Sequence, residues 1–425
     1  MSKNDGLNAR RPDRISRLLS NQSGNSLTLF AIALPMIIGV VGLGVDTAHW
    51  IVLKRQLQAV ADSAAMSGSF TAIKGGDIDY AVDDDVSRNR GKIENMQTRA
   101  TLSPESRPGD PYAVAVTVSA PAGLSFSSLF MSKPLIVSAS ATATMIETQD
   151  FCAFALDGSD EPGNSIDPNS KVESDCGIAT NSSAADAVRG DASSQFAARK
   201  LFAVGGIVGT SADTGGRVKP YSLNQGDPGA DIKPPEIPNT GCPNMTVNPG
   251  GNEVQLQPGC FGNLVLNGKV RLNPGSYVLN RGNVLFGPKA EVTCDGCTIF
   301  LTSQDADASP TSIGSARLDP AANVQMSAPS EGPYSGLLMV QDRRAAPEEK
   351  GEENIIAGNA NSKLDGIIYF PSQTLRLDGS ASPDMKCARL IGRKLILAGH
   401  ILITRGCIAD KGKLKLSGAE VKLVS

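Results

Sequence analysis

The stretch from Leu27 to Val45 limits what this chain can be more than any other. It reads Leu-Thr-Leu-Phe-Ala-Ile-Ala-Leu-Pro-Met-Ile-Ile-Gly-Val-Val-Gly-Leu-Gly-Val, 19 residues without a charge. At about 1.5 Å per residue, a helix of this length covers roughly 29 Å, close to the ~30 Å hydrocarbon core of a bilayer. Eleven of the 19 are Leu, Ile, Val or Phe. Together these contribute roughly −3 to −7 kcal/mol on an insertion scale, before Gly and Pro are set against them. The competing reading is the core helix of a soluble protein. No other helical stretch here is apolar enough to surround it. Leu27, Leu29, Phe30, Pro35, Ile37 and Val45 are therefore expected in a membrane anchor, kinked at Pro35.

The flanks orient it. Lys3, Arg10, Arg11, Arg14 and Arg17 precede the span, and only Lys54 and Arg55 come soon after it. The positive-inside rule then keeps the N-terminus cytoplasmic and exports the chain beyond the span. A cleaved secretory signal fits less well, because the apolar run is long and no Ala-x-Ala site closes it promptly. The cysteines agree with this topology. Cys152, Cys176, Cys242, Cys260, Cys294, Cys297, Cys387 and Cys407 all lie beyond the span, and an even count confined to an exported region reads as disulfides.

Residues 1–24 are polar and basic, a short cytoplasmic tail. Beyond Val45, apolar or small residues recur at Ile51, Leu57, Val60, Ala61, Ala64 and Ala65, spacings of three and four that continue the helix to a stop near Gly68. The pattern predicts an anchor and extended helix over 25–69. Its Ala- and Ser-rich upper half suits close approach by another helix or by the chain's own next domain. Residues 70–150 read as a small α+β stalk, with a polar helix around Tyr80–Thr98 and strands at Tyr112–Ser119 and Leu135–Met145.

The run from Gly24 through Ser69 resembles the N-terminal segment of TadG-like proteins of the tight-adherence (Tad/Flp) pilus assembly system. The matching features are Gly24 before the apolar span, Phe-Ala-Ile-Ala-Leu-Pro within it, and Gly44-Val45-Asp46 closing it. The pattern Leu57-Gln58 with Asp62, Ala64 and Ala65 after it completes the match. The resemblance implies an envelope protein of a bacterial pilus or secretion machine. Five residues after Gly24 stands the apolar Leu29, not the Glu of a processed prepilin, which favours an anchored accessory subunit. Asp46 either binds a partner's cation or marks where the helix leaves lipid.

From Phe151 the texture becomes short apolar strands between Gly, Asn, Asp and Pro. Between 254 and 301 their starts fall six to nine residues apart. Three strands with turns make a coil of about 20–25 residues, the period of a parallel β-helix. Few turns join equal alternating strands as hairpins would. The expected fold is therefore mainly β with one long N-terminal membrane helix. Residues 151–425 would be an exported right-handed parallel β-helix, with a β-sandwich as the alternative. Cys152-Ala-Phe-Ala-Leu-Asp, Ser335-Gly-Leu-Leu-Met-Val and Leu364-Asp-Gly-Ile-Ile-Tyr add a further resemblance to some TadG-like C-terminal regions.

Eight cysteines allow on the order of a hundred pairings. Stacked coils narrow the choice, because residues about one coil apart sit on rungs ~4.8 Å from each other, within disulfide reach. This favours Cys152–Cys176 and Cys387–Cys407, spacings of 24 and 20, with Cys242–Cys260 as a loop closure at 18 and Cys294–Cys297 as a local clamp on a turn.

Routes to chemistry are thin. His49 and His400 have no ligand at metal spacing, and no nucleophile elbow or phosphate-binding glycine loop occurs. Cys294-Asp-Gly-Cys297 lacks the βαβ setting of a redox pair. No catalytic residue, cofactor, metal, nucleic acid or small-molecule substrate is expected; the net charge of −3 gives no case for nucleic acid. The expected function is a non-enzymatic, membrane-anchored subunit of a pilus assembly or secretion apparatus. Its partners would be the inner membrane and sister subunits, its bulk periplasmic or in the envelope. The alternatives are an anchored β-helix enzyme acting on polysaccharide and a stand-alone surface adhesin.

Overall fold

The structure is a computed structural model that describes residues 25–102, 108–129, 131–149, 151–209, 211–212, 218–238, 241–347, 354–381, 383–404, 407, 414 and 416–424. The basic tail and Gly24 lie outside the described residues. The chain divides into two units, Met1–Met145 with Val421–Ser425, and Ile146–Glu420.

The first unit is built on helix α1, Asn25–Ile73, which runs on through Pro35. It is long and apolar enough to cross a membrane. The helix does not stop at Gly68 as read from the sequence. A side chain there would press on Val82 and Val114, each 2.9 Å from its Cβ, so Gly68 is an internal point of close packing. The stop comes at Gly75, whose φ of +68° is left-handed and cheap only for glycine. Helix α2, Ile78–Asn89, starts where Asp77 accepts the Tyr80 N–H at 3.0 Å. Strands β1 (Gln97–Leu102), β2 (Val114–Pro121) and β3 (Ile136–Gln149) come next as an antiparallel meander, Val116 opposite Ala100 on one side and Ala141 on the other. The strand Ser417–Leu423 extends this sheet beside β3. Residues 421–425 therefore belong with the first unit, not with the 151–425 domain read from the sequence.

The upper half of α1 packs against its own sheet. Leu57, Val60, Ala61, Ala64 and Ala65 are buried with Val82 and Val86 of α2 and with Val114, Val116, Val118, Ala139 and Ala141. Small residues on both surfaces bring helix and strands close. Of the two partners open to the Ala-rich face, the chain's own next domain takes it.

The second unit is mainly parallel β. Each short strand pairs with the one about a coil further on. Met245–Val247 pairs with Leu264–Leu266, and that with Val284–Phe286. Val254–Leu256 pairs with Lys269–Leu272, and that with Glu291–Asp295. Gly259–Phe261 pairs with Gly275–Asn280, and that with Cys297–Thr302. These make three columns of parallel ladder. Among the described residues every register of this sheet is parallel, unlike the antiparallel sheets of a sandwich. Asparagines fix the stacking at one turn. Asn244 Oδ1 accepts the Asn263 N–H at 2.7 Å, and Asn263 Oδ1 accepts the Asn283 N–H at 2.9 Å.

The order of the rungs departs from the order of the chain. Phe151–Ala155 lies mid-stack, beside the strand Asp384–Ile403, and Lys171–Thr180 and Gln195–Ala203 continue away from it. After Lys219 the chain crosses to the far end, restarts at Met245, and winds back until Asp384–Ile403 closes against Phe151–Ala155, Asn164–Ile166 and Lys171–Thr180. The crossing segment carries Pro220, Pro228, Pro234, Pro235 and Pro238, residues that cannot donate to a ladder and favour an extended path.

That crossing explains a burial pattern. Glu291–Asp295 alternates exposed and buried, as a strand with one wet face should. Cys297–Thr302, Leu337–Gln341 and Phe151–Ala155 are buried throughout. The second face of this third column carries Phe154, Phe202, Phe300, Val340, Tyr369 and Ile391, with Ile232 of the crossing segment packed among them.

Candidate membrane-proximal docking site

The first unit gathers the residues of the N-terminal motif. Below Asp46, Leu29, Phe30, Ile37 and Val45 are exposed on α1, Leu29 by 65 %. Nothing of the Leu27 side chain lies within the described residues.

Where the apolar run ends, the segment after β2 folds back on the helix. Gly42 is the contact point: a Cβ there would stand 2.6 Å from both Cβ and Cγ of Phe126. Gly44, the glycine of the sequence motif, has nothing within 4 Å. The motif alone does not single out Gly42, since only the loop some 80 positions later distinguishes the two. Asp46 is fully covered. Its Oδ2 accepts the backbone N–H groups of Phe126 at 3.0 Å and Ser127 at 2.6 Å, at the start of a short turn, Ser127–Leu129. A buried carboxylate is costly unless its charge is hydrogen-bonded; these two donors serve Oδ2, while Oδ1 is buried without a hydrogen-bond partner among the described residues. Of the two roles open to Asp46, neither is the whole account: the carboxylate holds a loop of its own chain.

Above Asp46 the helix presents donors every four residues, which places them on one face. Trp50 Nε1 donates to the Gly123 carbonyl at 3.2 Å, Lys54 Nζ to Ser138 O, and Gln58 Nε2 to Ser140 O at 3.0 Å. Gln58 also donates to Asp62 Oδ1 at 2.7 Å. Leu57, Ala64 and Ala65 fill the neighbouring face of the core. The motif thus arranges a helix on a sheet: apolar positions supply packing, and Gln58 with Asp62 ties α1 to the β3 backbone. Trp50 and Lys54 lie outside the motif residues singled out from the sequence, although the four-residue spacing from Trp50 to Gln58 is visible there. Beside this face lies a hollow of about 690 Å³, lined by His49, Trp50, Arg90, Lys92 and Glu94 among others.

The second unit holds charged clusters of another kind. Arg393 and Lys394 pair with Asp157 and Glu161, and Arg376 pairs with Asp167. Tyr369 donates to Asp227 Oδ2 at 2.9 Å, and Arg343 reaches both at 2.6 and 2.7 Å, fastening the crossing segment to the rungs. Burial, and then the Asp227 carboxylate, push the Tyr369 hydroxyl far up, so it stays a donor. Asp342 is raised by burial but held below the ordinary range by Arg344 and Thr302. Each of these charged groups has a partner within its own chain.

The cysteines pair between sequence neighbours: Cys152–Cys176 and Cys387–Cys407 about a coil apart, Cys242–Cys260 across a loop and Cys294–Cys297 within a turn, with Cα separations of 5.8, 5.4, 5.0 and 6.1 Å. Cys387 and Cys407 also lie near Asp365, but their sulfurs are joined to each other and offer no thiolate to a metal. His400 Nε2 sits 3.6 Å from a Glu173 oxygen on the exposed surface.

A helix long and apolar enough to cross a membrane, continuing without a break into a small sheet domain, defines a class of protein with one apolar helical segment and a folded head. Residues 24–72 match the family model described as "Putative Flp pilus-assembly TadE/G-like", so this segment of the chain is similar to the N-terminal segment of Tad/Flp pilus assembly proteins. Neither the comparison with curated proteins nor that with solved structures returned a match.

Proposed function

We propose that this chain is a non-enzymatic, single-pass subunit of a Tad/Flp-type pilus assembly or secretion apparatus. Leu27–Val45 anchors it in the inner membrane, residues 1–24 stay in the cytoplasm, and the β-rich body is held outside to meet other subunits. The observation that carries this reading is the coincidence of the TadE/G-like match over 24–72 with the one apolar helix of that length among the described residues. The basic residues before the span and the cysteine pairs after it support the orientation. The three columns of parallel ladder support winding of the second unit as a parallel β-helix, right-handed as parallel crossovers nearly always are. Such a body offers long flat faces for protein contact. The test is a reporter fused after residue 150 that is active only outside the cytoplasm, with co-purification of neighbouring assembly subunits from cross-linked membranes. Reporter activity confined to the cytoplasmic side would reject the topology. A correct topology with no assembly subunit captured would reject the assembly role and leave the anchor.

A further inference from the structure

The loop that packs on Gly42 cannot lie above the membrane if Gly42 lies in it. We infer that the turn carrying Phe126 and Met131 forms a second membrane contact, dipping into the outer leaflet of the bilayer that α1 crosses. This rests on the reading of Leu27–Val45 as the span.

The depth is set by the helix. Gly123 accepts from Trp50, whereas Phe126 touches Gly42. Between Trp50 and Gly42 a helix descends about 12 Å, so the loop runs down α1 and passes the end of the apolar run. Gly42 lies three residues, roughly 4.5 Å, inside the end at Val45. Phe126 must therefore reach acyl-chain depth.

The side chains fit that position. Phe126 is 41 % exposed and Met131 38 %, and the Met131 N–H donates to the Ser127 carbonyl at 2.8 Å, which keeps Met131 at the level of the turn bound to Asp46. In water the two side chains are an unprotected apolar patch. Phe126 packs on Gly42 within the exposed apolar run of α1, which names the occupant: lipid, not a protein partner. The surroundings are those of an interface. Lys133 is exposed between Met131 and Leu135, Trp50 sits where interfacial tryptophans concentrate, and Arg90 and Lys92, with Glu94 among them, line the hollow next to Trp50. Cations at this height meet the phosphates of anionic lipids. Two contacts, a helix and a loop tied to it through Asp46, would fix the tilt of the head on the membrane, which a single helix leaves free.

The chain has one tryptophan, Trp50, so depth can be read by fluorescence. The full chain with Trp50→Phe is reconstituted into phosphatidylglycerol-containing vesicles whose lipids carry bromine high or low on the acyl chain. One tryptophan is then added as Phe126→Trp, Met131→Trp, Ile37→Trp or Tyr80→Trp. Quenching of the 126 and 131 probes, stronger with the high bromine, together with an unquenched 80 probe on the helix that packs at Gly68, is the expected result. Met131 is a surface position, so its probe reports even if replacement of Phe126 disturbs folding. Quenching at 37 with none at 126 and 131 overturns the loop contact and leaves the anchor standing. No quenching at 37 overturns the anchor, and the loop contact with it.

Discussion

At the scale of single residues, the two glycines near the end of the apolar run are chemically alike but structurally distinct. A side chain at Gly42 meets Phe126, and one at Gly44 meets open space. Gly42→Leu should therefore cost about 1–3 kcal/mol through overpacking of the loop against α1. Gly44→Leu should be neutral or slightly stabilising, because leucine favours a helix over glycine by close to ~1 kcal/mol. Thermal unfolding of the detergent-solubilised protein checks both, and equal effects would show that the Gly42 contact contributes nothing. Asp46 illustrates the same point. As a sequence letter it is a charge at a membrane edge; in the structure it accepts two backbone N–H groups and holds the loop down.

At the scale of elements, α1 needs both halves. Its lower half is apolar all round, and its upper half carries a narrow face of Leu57, Ala61, Ala64 and Ala65 buried in the sheet domain. The ladders of the second unit are locked by the cysteine pairs, and the loop each closes sets its worth. Constraining a loop of 24 residues stabilises by about 3.5 kcal/mol in the chain-entropy account, a loop of three by about 1.6 kcal/mol. Replacing Cys152 and Cys176 together by Ala should thus lower the denaturant midpoint about twice as much as replacing Cys294 and Cys297. Chemical unfolding of the oxidised variants measures it; a larger loss from the 294–297 pair would overturn the loop-entropy reading.

At the scale of the whole second unit, everything turns on the strand Asp384–Ile403. It pairs on one side with Lys363–Gly379 and on the other with the first strands of the unit. Removing residues 384–424 should leave both stacks with unpaired parallel edges, which are templates for association. The truncated chain should elute as aggregate in size-exclusion chromatography, where the intact chain does not. A soluble truncated chain of unchanged oligomeric state would show that the two stacks fold independently.

The sequence alone determined several features, each resting on a signal local in the chain. The 19-residue apolar run needs only length and hydropathy, the strands of the second unit show in short apolar runs between turn residues, and a cysteine pair one coil apart stacks wherever coils stack. The tertiary structure alone decided which rung lies beside which, and which glycine meets a loop. Backbone N–H and C=O groups are the same in every strand, so a ladder by itself does not prefer one neighbour over another. The choice comes from side chains that meet only after folding, as when Gly229 of the crossing segment lies so close to the Tyr369 ring that a Cβ there would overlap it. Phe126 reaches Gly42 across more than eighty residues for the same reason: the contact belongs to a surface that two distant segments share, and no stretch of sequence contains it.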